Sequence, residues 1–465
     1  MEDYPASLPY PTTLYTHLMA RLGESLQCSF IMHLLYSALL GVALLLGIPF
    51  WLVQMLRHGK YRAGVSERFG RVPTRLRLPE TAGSIWVHAV SVGEVLAVAG
   101  LVNELRRRYP ERRIFVSTTT LTGQQLARKR FGEESVFYFP LDFAFAIRPY
   151  LRSLRPALVV VAETEFWPNF LKQADEFGAK IAVVNARISD RSLPRYLRFR
   201  SLLRRVLAHV DIFLAQSEED ERRLIGIGAV AERVKVSGNL KFDITPTAAP
   251  PIIGQLREAM IAGGSGAVIV AGSTVEGEEP GVIDAFRRVL GSNANAVLIL
   301  AARHPERFGG VADLLASSGL RFWRRSQWNA TDPISGGVFL LDTIGELGAI
   351  YQLADVAFVG GSLAPRGGHN ILEPAMYGVP VIVGPHTENF RDIIELFRRA
   401  DAVTVVHDAG QLAASFTELL ADVHKRRELG DRAADLVKQQ SGATARTLDA
   451  IDTLLHSPQR SEPAR

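Results

Sequence analysis

A chain of 465 residues, 47% apolar and 22% charged, is long enough for two domains that each bury a core. Its single cysteine, Cys28, excludes an internal disulfide, and no Cys/His cluster has zinc spacing. The net charge of +5 is mild for this size and calls for no nucleic-acid partner.

Residues 1–30 are more polar than the segment after them, carry Pro5, Pro9 and Pro11, and show no periodicity. They read as a disordered leader or a mis-assigned start. Ile31–Val53 contains no Asp, Glu, Lys or Arg. About twenty apolar residues at 1.5 Å rise span a bilayer core. Trp51 stands near one end, where interfacial aromatics gather. Arg57, Lys60, Arg62, Arg68 and Arg71 come next. The positive-inside tendency therefore predicts a single-pass anchor, residues 31–53, with the rest of the chain in the cytoplasm. A signal peptide competes but lacks a small-x-small cleavage site, and a buried core helix competes although the run has no polar face. A second basic group, Arg191, Arg195, Arg198, Arg200, Arg204 and Arg205, suits either a solvated helix face or anionic head groups.

From Gly83 short Val/Ile/Leu runs alternate with helical patterns. Ser84–Ala89, Arg113–Ser117, Ala157–Ala162, Lys180–Asn185 and Asp211–Ala215 form one set. Ala267–Ala271, Ala296–Ala301, Gly337–Leu341, Val356–Val359, Val379–Val383 and Ala402–Val406 form another. Continuous apolar runs separated by helices predict parallel strands, and two sets predict two doubly wound α/β domains. The expected domains are 54–240 and 253–456, with a linker at 241–252 marked by Pro246 and Pro250-Pro251 and a polar tail at 457–465. Ligands of such sheets bind beyond the carboxyl ends of the strands. The unusual motifs fall there.

Ser91-Val-Gly-Glu94 comes directly after the first run. Its spacing fits first a capping box opening a helix; a carboxylate at that turn could also deprotonate a sugar hydroxyl, with Gly93 allowing close approach to the backbone. Glu163-Thr-Glu-Phe-Trp-Pro-Asn169 places two carboxylates, Glu163 and Glu165, before a helix opened by Pro168. They suit a functional role or a plain helix start; as metal ligands they lack an adjacent third. Arg187 in Asn185-Ala-Arg187 suits a carboxylate or phosphate, or a salt bridge to Glu163 or Glu165. The second half supplies Gly272-Ser-Thr-Val-Glu-Gly-Glu-Glu279, Arg303-His-Pro-Glu-Arg307, Thr343-Ile-Gly-Glu346, Gly360-Gly-Ser362 and Gly367-Gly-His-Asn-Ile-Leu-Glu-Pro374. In the last, paired glycines lead to a helix with Asn370 as cap. Exposed N–H groups at such a start bind phosphate, and Glu373 can accept ribose hydroxyls. The absence of a Walker A motif and of G-x-G-x-x-G argues against a P-loop ATPase or a dehydrogenase.

Together these motifs resemble the 3-deoxy-D-manno-octulosonic-acid (Kdo) transferases. The resemblance runs from about Met32 to the last helix. It is carried by Leu34-Leu-Tyr36, Ser91-Val-Gly-Glu94, Glu163-Thr-Glu165 with Trp167-Pro-Asn169, Asn185-Ala-Arg187, Leu240-Lys-Phe-Asp243, Glu276-Gly-Glu-Glu279, Arg303-His-Pro-Glu-Arg307, Phe358-Val-Gly-Gly-Ser362, Gly367-Gly-His-Asn370 and Gly384-Pro-His386. It implies a GT-B fold, two Rossmann-like domains facing across a cleft behind an N-terminal transmembrane helix. It implies inverting transfer of Kdo from CMP-Kdo to the lipid A precursor at the inner membrane, in contact with its lipids, with no cofactor and no bound metal. Glu94 is then the catalytic base. Donor binding falls to Ser273, Glu276, Arg303, His304, Gly345, Glu346, Gly360, Gly361, His369, Asn370 and Glu373. Acceptor or Kdo binding falls to Ser91, Gly93, Glu163, Glu165 and Arg187. The segment before Met32 departs from the family pattern. The competing readings are another GT-B transferase using a UDP-sugar, a GT-B-fold sugar-nucleotide epimerase, and a tethered binding protein without catalysis.

Overall fold

Strands buried on both faces need helices on both sides, and the sequence supplies them in alternation. The computed structural model describes residues 32–49, 53, 63–77, 83–244 and 250–457. The expected leader, Trp51, the flanking Arg57, Lys60 and Arg62, Pro246 and the tail from 458 lie outside the described residues.

The chain divides into two compact units. The first contains β1 (Ser84–His88), β2 (Arg113–Thr118), β3 (Val136–Tyr138), β4 (Pro156–Ala162), β5 (Lys180–Ala186), β6 (Ile212–Ala215) and β7 (Val234–Val236). They form one parallel sheet in the order β3-β2-β1-β4-β5-β6-β7. β1 is buried at every residue. Chain direction across the sheet reverses between β1 and β4, and such a switch point opens a crevice at the strand ends.

The second unit holds β8 (Val268–Thr274), β9 (Val297–Ala302), β10 (Phe322–Arg324), β11 (Gly337–Leu340), β12 (Val356–Val359), β13 (Val381–Val383) and β14 (Thr404–Val405). They form a parallel sheet in the order β10-β11-β9-β8-β12-β13-β14. Its switch point lies between β8 and β12.

The division falls at Lys241/Phe242, inside the expected linker, but the expected second domain, 253–456, loses its last helix. The chain returns at Ser441/Gly442, and Ala443–His456 packs on the first unit. Ala443, Leu448 and Ile451 are buried in one cluster with Val98, Leu101 and Val102. Arg446 Nε donates to Ser237 O at 2.7 Å, and Tyr109 donates to Asp452. The apolar spacing of this helix shows that it needs a partner, and nothing local says which one. Ending the chain at Ser441 should therefore destabilise the first unit by several kcal/mol, since each buried Leu or Ile contributes about 1.5–3 kcal/mol. Calorimetry should show one transition shifted down by about 10 °C or more; an unchanged first-unit transition would refute this packing.

One helix among the described residues, Met32–Pro49, is long and apolar enough to cross a membrane. Only Met32 and His33 on it are buried, both at its N-terminal end. Met32 joins the core of the first unit. His33 Nδ1 lies 3.3 Å from Asn169 Oδ1, and Asn169 Nδ2 donates to Ser37 Oγ at 2.9 Å. Tyr36 hydrogen-bonds to Asp142.

Candidate active site

Glu94 sits where the sheet of the first unit changes direction. The helix Val92–Arg108 starts directly after β1, with Ser91 as its N-cap. Ser91 Oγ accepts from the Glu94 N–H at 3.4 Å and donates to Glu94 Oε1 at 2.9 Å. Glu94 Oε2 accepts from the Val90 N–H at 2.8 Å. The expected capping box is thus formed, with the carboxylate reaching one residue further back than the usual cap N–H. Yet Glu94 is buried, at 8% exposure. Burial raises its pKa to about 7, against the pull of the Val90 N–H; the charges of Glu163 and Glu165 push the same way as burial. The capping and base readings therefore do not exclude each other.

Glu163 and Glu165 lie just beyond β4, the strand on the other side of the switch point. Glu163 has a φ of 56°, a conformation that non-glycine residues seldom adopt, and its N–H is held by Val184 O at 2.9 Å. Lys241 Nζ lies 3.8 Å from Glu163 Oε1. Burial raises the pKa of Glu165, helped by the Glu163 charge. Pro168 opens the helix Pro168–Glu176 as expected. Three carboxylates are thus gathered at one crevice, and a crevice of like charges favours protonation of one of them.

Two further residues of this region are not among the site candidates read from the sequence. Buried Asp142 caps that helix: its carboxylate accepts from the N–H groups of Asn169 at 3.1 Å and Phe170 at 2.7 Å. Burial raises its pKa to about 6. Lys241, part of the motif Leu240-Lys-Phe-Asp243, supplies the cation beside Glu163. A lone Asp has no local pattern that announces such a role, and the motif around Lys241 does not say which carboxylate the lysine meets.

Arg187 is half-buried just beyond β5, the neighbour of β4, and Glu163 pairs with Lys241. Asn185 has a φ of 54°; its Oδ1 accepts from the Leu240 N–H at 3.0 Å, and its buried Nδ2 has no partner among the described residues. A Cβ on Gly93 would meet nothing closer than Ser91 Oγ at 3.8 Å, so the backbone there is open to approach.

In the second unit the switch point is filled from within. Glu278, 2% exposed, accepts five backbone hydrogen bonds. Oε2 takes the N–H groups of Val275 at 3.0 Å and Gly361 at 2.7 Å. Oε1 takes those of Ser362 at 3.0 Å, Leu363 at 2.9 Å and Ala364 at 3.2 Å. Successive N–H groups of this kind form an anion-binding nest. The N–H groups of Gly360 and Gly361 are taken within the unit: that of Gly361 by Glu278 and that of Gly360 by Gly272 O at 2.9 Å. Their small size is still required. A Cβ on Gly361 would lie 2.7 Å from the His369 ring, and one on Gly360 would lie 2.6 Å from Thr274 Cα.

His369 is drawn in with Arg303 and His304. Burial lowers its pKa to about 4, and the Arg303 and His304 charges act in the same direction. A neutral imidazole results, and its buried Nε2 has no partner among the described residues. Arg303 and His304 are exposed just beyond β9. Ser273, at the end of β8, has a φ of 57°.

Other candidates are engaged elsewhere. Glu276 is exposed and lies 3.8 Å from Arg307, whose main partner is Glu279 at 2.9 Å. Glu346 is held by Arg325 at 3.0 and 3.2 Å and by Thr343. Gly345 has a φ of 94° and nothing within 4 Å of a notional Cβ. Asn370 Oδ1 accepts from the Leu372 N–H at 3.1 Å, and its Nδ2 donates to Glu373 Oε1 at 3.3 Å. The helix they open, Leu372–Ala375, is a single turn. It has too little length for the dipole effect expected of it. Among the described residues no three His, Cys, Asp or Glu side chains are grouped to hold one metal ion.

Residues 63–244 match the family model described as 3-deoxy-D-manno-octulosonic-acid transferase (kdotransferase). A 3-deoxy-D-manno-octulosonic acid transferase of Haemophilus influenzae is 34% identical over 424 residues, 90% of this chain and 98% of that one. The protein of the same description from Bordetella pertussis is 36% identical over 428 residues, again 90% and 98%. Among solved structures, a UDP-GlcNAc 2-epimerase from Neisseria meningitidis superposes with a TM-score of 0.51 at 14% identity, over 80% of this chain and 100% of that one. At that identity the likeness speaks to the GT-B-like fold alone.

Proposed function

The chain belongs to the 3-deoxy-D-manno-octulosonic-acid transferase family, and we propose from that premise that it moves Kdo from CMP-Kdo to a hydroxyl of the lipid A precursor. The observation that carries the reading is Glu94: a buried carboxylate with its pKa near neutrality, at the switch point of the first unit, beside two further carboxylates.

In this mechanism Glu94 takes the proton of the acceptor hydroxyl. The oxygen so released bonds to the anomeric carbon of Kdo, the bond from that carbon to the CMP phosphate oxygen breaks, and CMP leaves with the electron pair. Attack from the face opposite CMP inverts the centre. A base with a pKa near the working pH combines adequate basicity with adequate ionisation. The second unit holds the donor. Neutral His369, with its buried Nε2, and the exposed Arg303 supply a hydrogen bond and a positive charge suited to the donor's anionic groups. Glu373 suits the ribose. On the first unit, Arg187 suits the Kdo carboxylate or the acceptor, with Ser91, Gly93, Glu163 and Glu165 on the acceptor side. No metal is invoked. The helix Met32–Pro49 attaches the enzyme to the inner membrane, with both units on the cytoplasmic side.

Incubation with a tetraacylated lipid A precursor tests this directly. CMP-Kdo should give a product heavier by one or more Kdo residues in chelator-containing buffer, and UDP-sugars should give none. Turnover of a UDP-sugar without turnover of CMP-Kdo would overturn the reading, and loss of product on chelation would restore Glu163 and Glu165 as metal ligands.

A further inference from the structure

Two motifs of the first unit, Asn185-Ala-Arg187 and Leu240-Lys-Phe-Asp243, meet in one hydrogen bond that the mechanism above does not use. Asn185 is the penultimate residue of β5 and is fully buried. The pairing of β5 with β6 shifts register between Val183 and Ala186, and Asn185 takes a φ of 54° there. Asparagine tolerates this left-handed conformation better than most residues, yet seldom adopts it. Ala162 pairs with Val184, so Glu163, with its own φ of 56°, follows directly beside Asn185. The backbone is held on both sides of this point. Gln216 Nε2 donates to Asn185 O at 2.9 Å, and the Glu163 N–H donates to Val184 O at 2.9 Å.

The bent strand end presents the Asn185 amide to the segment that carries Lys241. Asn185 Oδ1 accepts from the Leu240 N–H at 3.0 Å, and Asn239 Oδ1 accepts from the next one, that of Lys241, at 3.0 Å. These are the opening N–H groups of the short turn Leu240–Phe242, which the turn itself cannot satisfy. The Leu240 side chain is buried in one cluster with Ala182, Val184 and Ala443. Lys241, fixed in this way, has its Nζ 3.8 Å from Glu163 Oε1. Of the three carboxylates at the crevice, Glu163 alone has a cation within ion-pair distance among the described residues. Resting on the transferase reading above, we propose that Asn185 is a positioning residue: it fixes Leu240 so that Lys241 meets Glu163, which leaves Glu94 as the carboxylate that takes the acceptor's proton. A carboxylate paired with an ammonium must break the pair to accept a proton. A buried carboxylate without a counter-ion accepts one readily, and the charge of Glu163 adds to that tendency at Glu94. An asparagine kept for support alone would satisfy both ends of its amide. Asn185 instead leaves Nδ2 buried without a partner among the described residues and holds a seldom-adopted φ. Local costs of this kind gather where the geometry of a functional site is enforced.

Asn185→Gly separates positioning from support. Glycine adopts a left-handed φ without strain, so the variant removes the acceptor and keeps the backbone. Its kcat should fall about ten- to a hundredfold, the scale of a misplacement away from the reacting atoms. Its KM for CMP-Kdo should stay unchanged, because the donor is assigned to the second unit. Lys241→Met should show a similar fall. The double variant should lose no more than either single one, since both remove the same contact. Additive losses, or a raised KM for CMP-Kdo with kcat intact, overturn the proposal. A second readout needs no substrate. The purified full chain in detergent is treated with limiting acetic anhydride, and acetylation of each lysine is followed by mass spectrometry. Lys241 should react several-fold faster in Asn185→Gly than in the wild type, with the exposed Lys129 and Lys235 unchanged as references. An unchanged rate at Lys241 overturns the positioning. Should Asn185→Gly not fold, Asn185→Ser, one bond too short for the Leu240 N–H, carries both comparisons. Failure of the transferase reading would appear as absent turnover of CMP-Kdo in the wild type, and the acetylation result would stand apart from it.

Discussion

Glu94→Gln should lower turnover about 10²–10⁴-fold, the range lost with a positioned general base, while the protein stays folded and still binds CMP-Kdo. Glutamine keeps an oxygen for the Val90 N–H and can exchange hydrogen bonds with Ser91, so the helix start survives. It cannot take up a proton. A second signature separates the base from a mere cap. Burial holds the folded pKa of Glu94 at about 7, above its ordinary 4.5. A group raised in this way favours the fold most when protonated. Its contribution is fully present below the unfolded value, near pH 4.5, and is lost as pH rises through about 7. Replacing it by neutral glutamine removes that loss. The melting temperature of Glu94→Gln should therefore exceed the wild-type value above about pH 7 and converge with it near about pH 4. In the wild type kcat/KM should rise through about pH 7 with a slope of one proton, and this limb should vanish in the residual activity of the variant. Near-normal turnover with a normal pH profile would make Glu94 a cap alone and move the base to Glu163 or Glu165.

The physical basis of that experiment explains why the site is half legible in the sequence. The motif Ser91-Val-Gly-Glu94 states a capping box, and the capping box is there. It does not state burial or company. Those come from sheet order, since only the reversal between β1 and β4 brings Glu163 and Glu165 within electrostatic reach of Glu94. Fold class is legible because central parallel strands such as β1, β4 and β9 are apolar almost throughout. The strands the sequence does not announce, Val136–Tyr138, Val234–Val236 and Phe322–Arg324, are three-residue strands at sheet edges. An edge strand covers less surface, and β7 and β10 carry the exposure that hides them in the sequence. The last helix falls to the other unit for a related reason: periodicity reports that a face needs burial and never against what.

Glu278 shows the same limit in the second unit, and its replacement is the sharper test there. Three carboxylates in Gly272–Glu279 look alike in sequence, and the family pattern points to Glu276 for the donor. The structure turns Glu276 outward and Glu278 inward, onto a nest built by a loop more than eighty residues later. Glu278→Ala should remove the anion and leave the buried N–H groups of Val275, Gly361 and Ser362, and the part-buried ones of Leu363 and Ala364, without it. Each unsatisfied N–H costs about 1–3 kcal/mol, more in sum than one unit can lose without rearranging. The loop Gly360–Ala364 should therefore relax, separate Gly361 from His369, and weaken CMP binding by at least tenfold, with a lower melting transition for the second unit. Glu278→Gln should fare little better, because its amide NH2 would face N–H donors. The two variants should part company on adding millimolar formate or acetate. A small carboxylate can occupy the space left in Glu278→Ala and recover CMP affinity and melting temperature, whereas Glu278→Gln leaves it no room. If Glu278→Ala binds CMP and melts as the wild type does, the nest is not what shapes this loop. If it is destabilised but carboxylates restore nothing, the loss is one of packing rather than of the charge that the five N–H groups enclose.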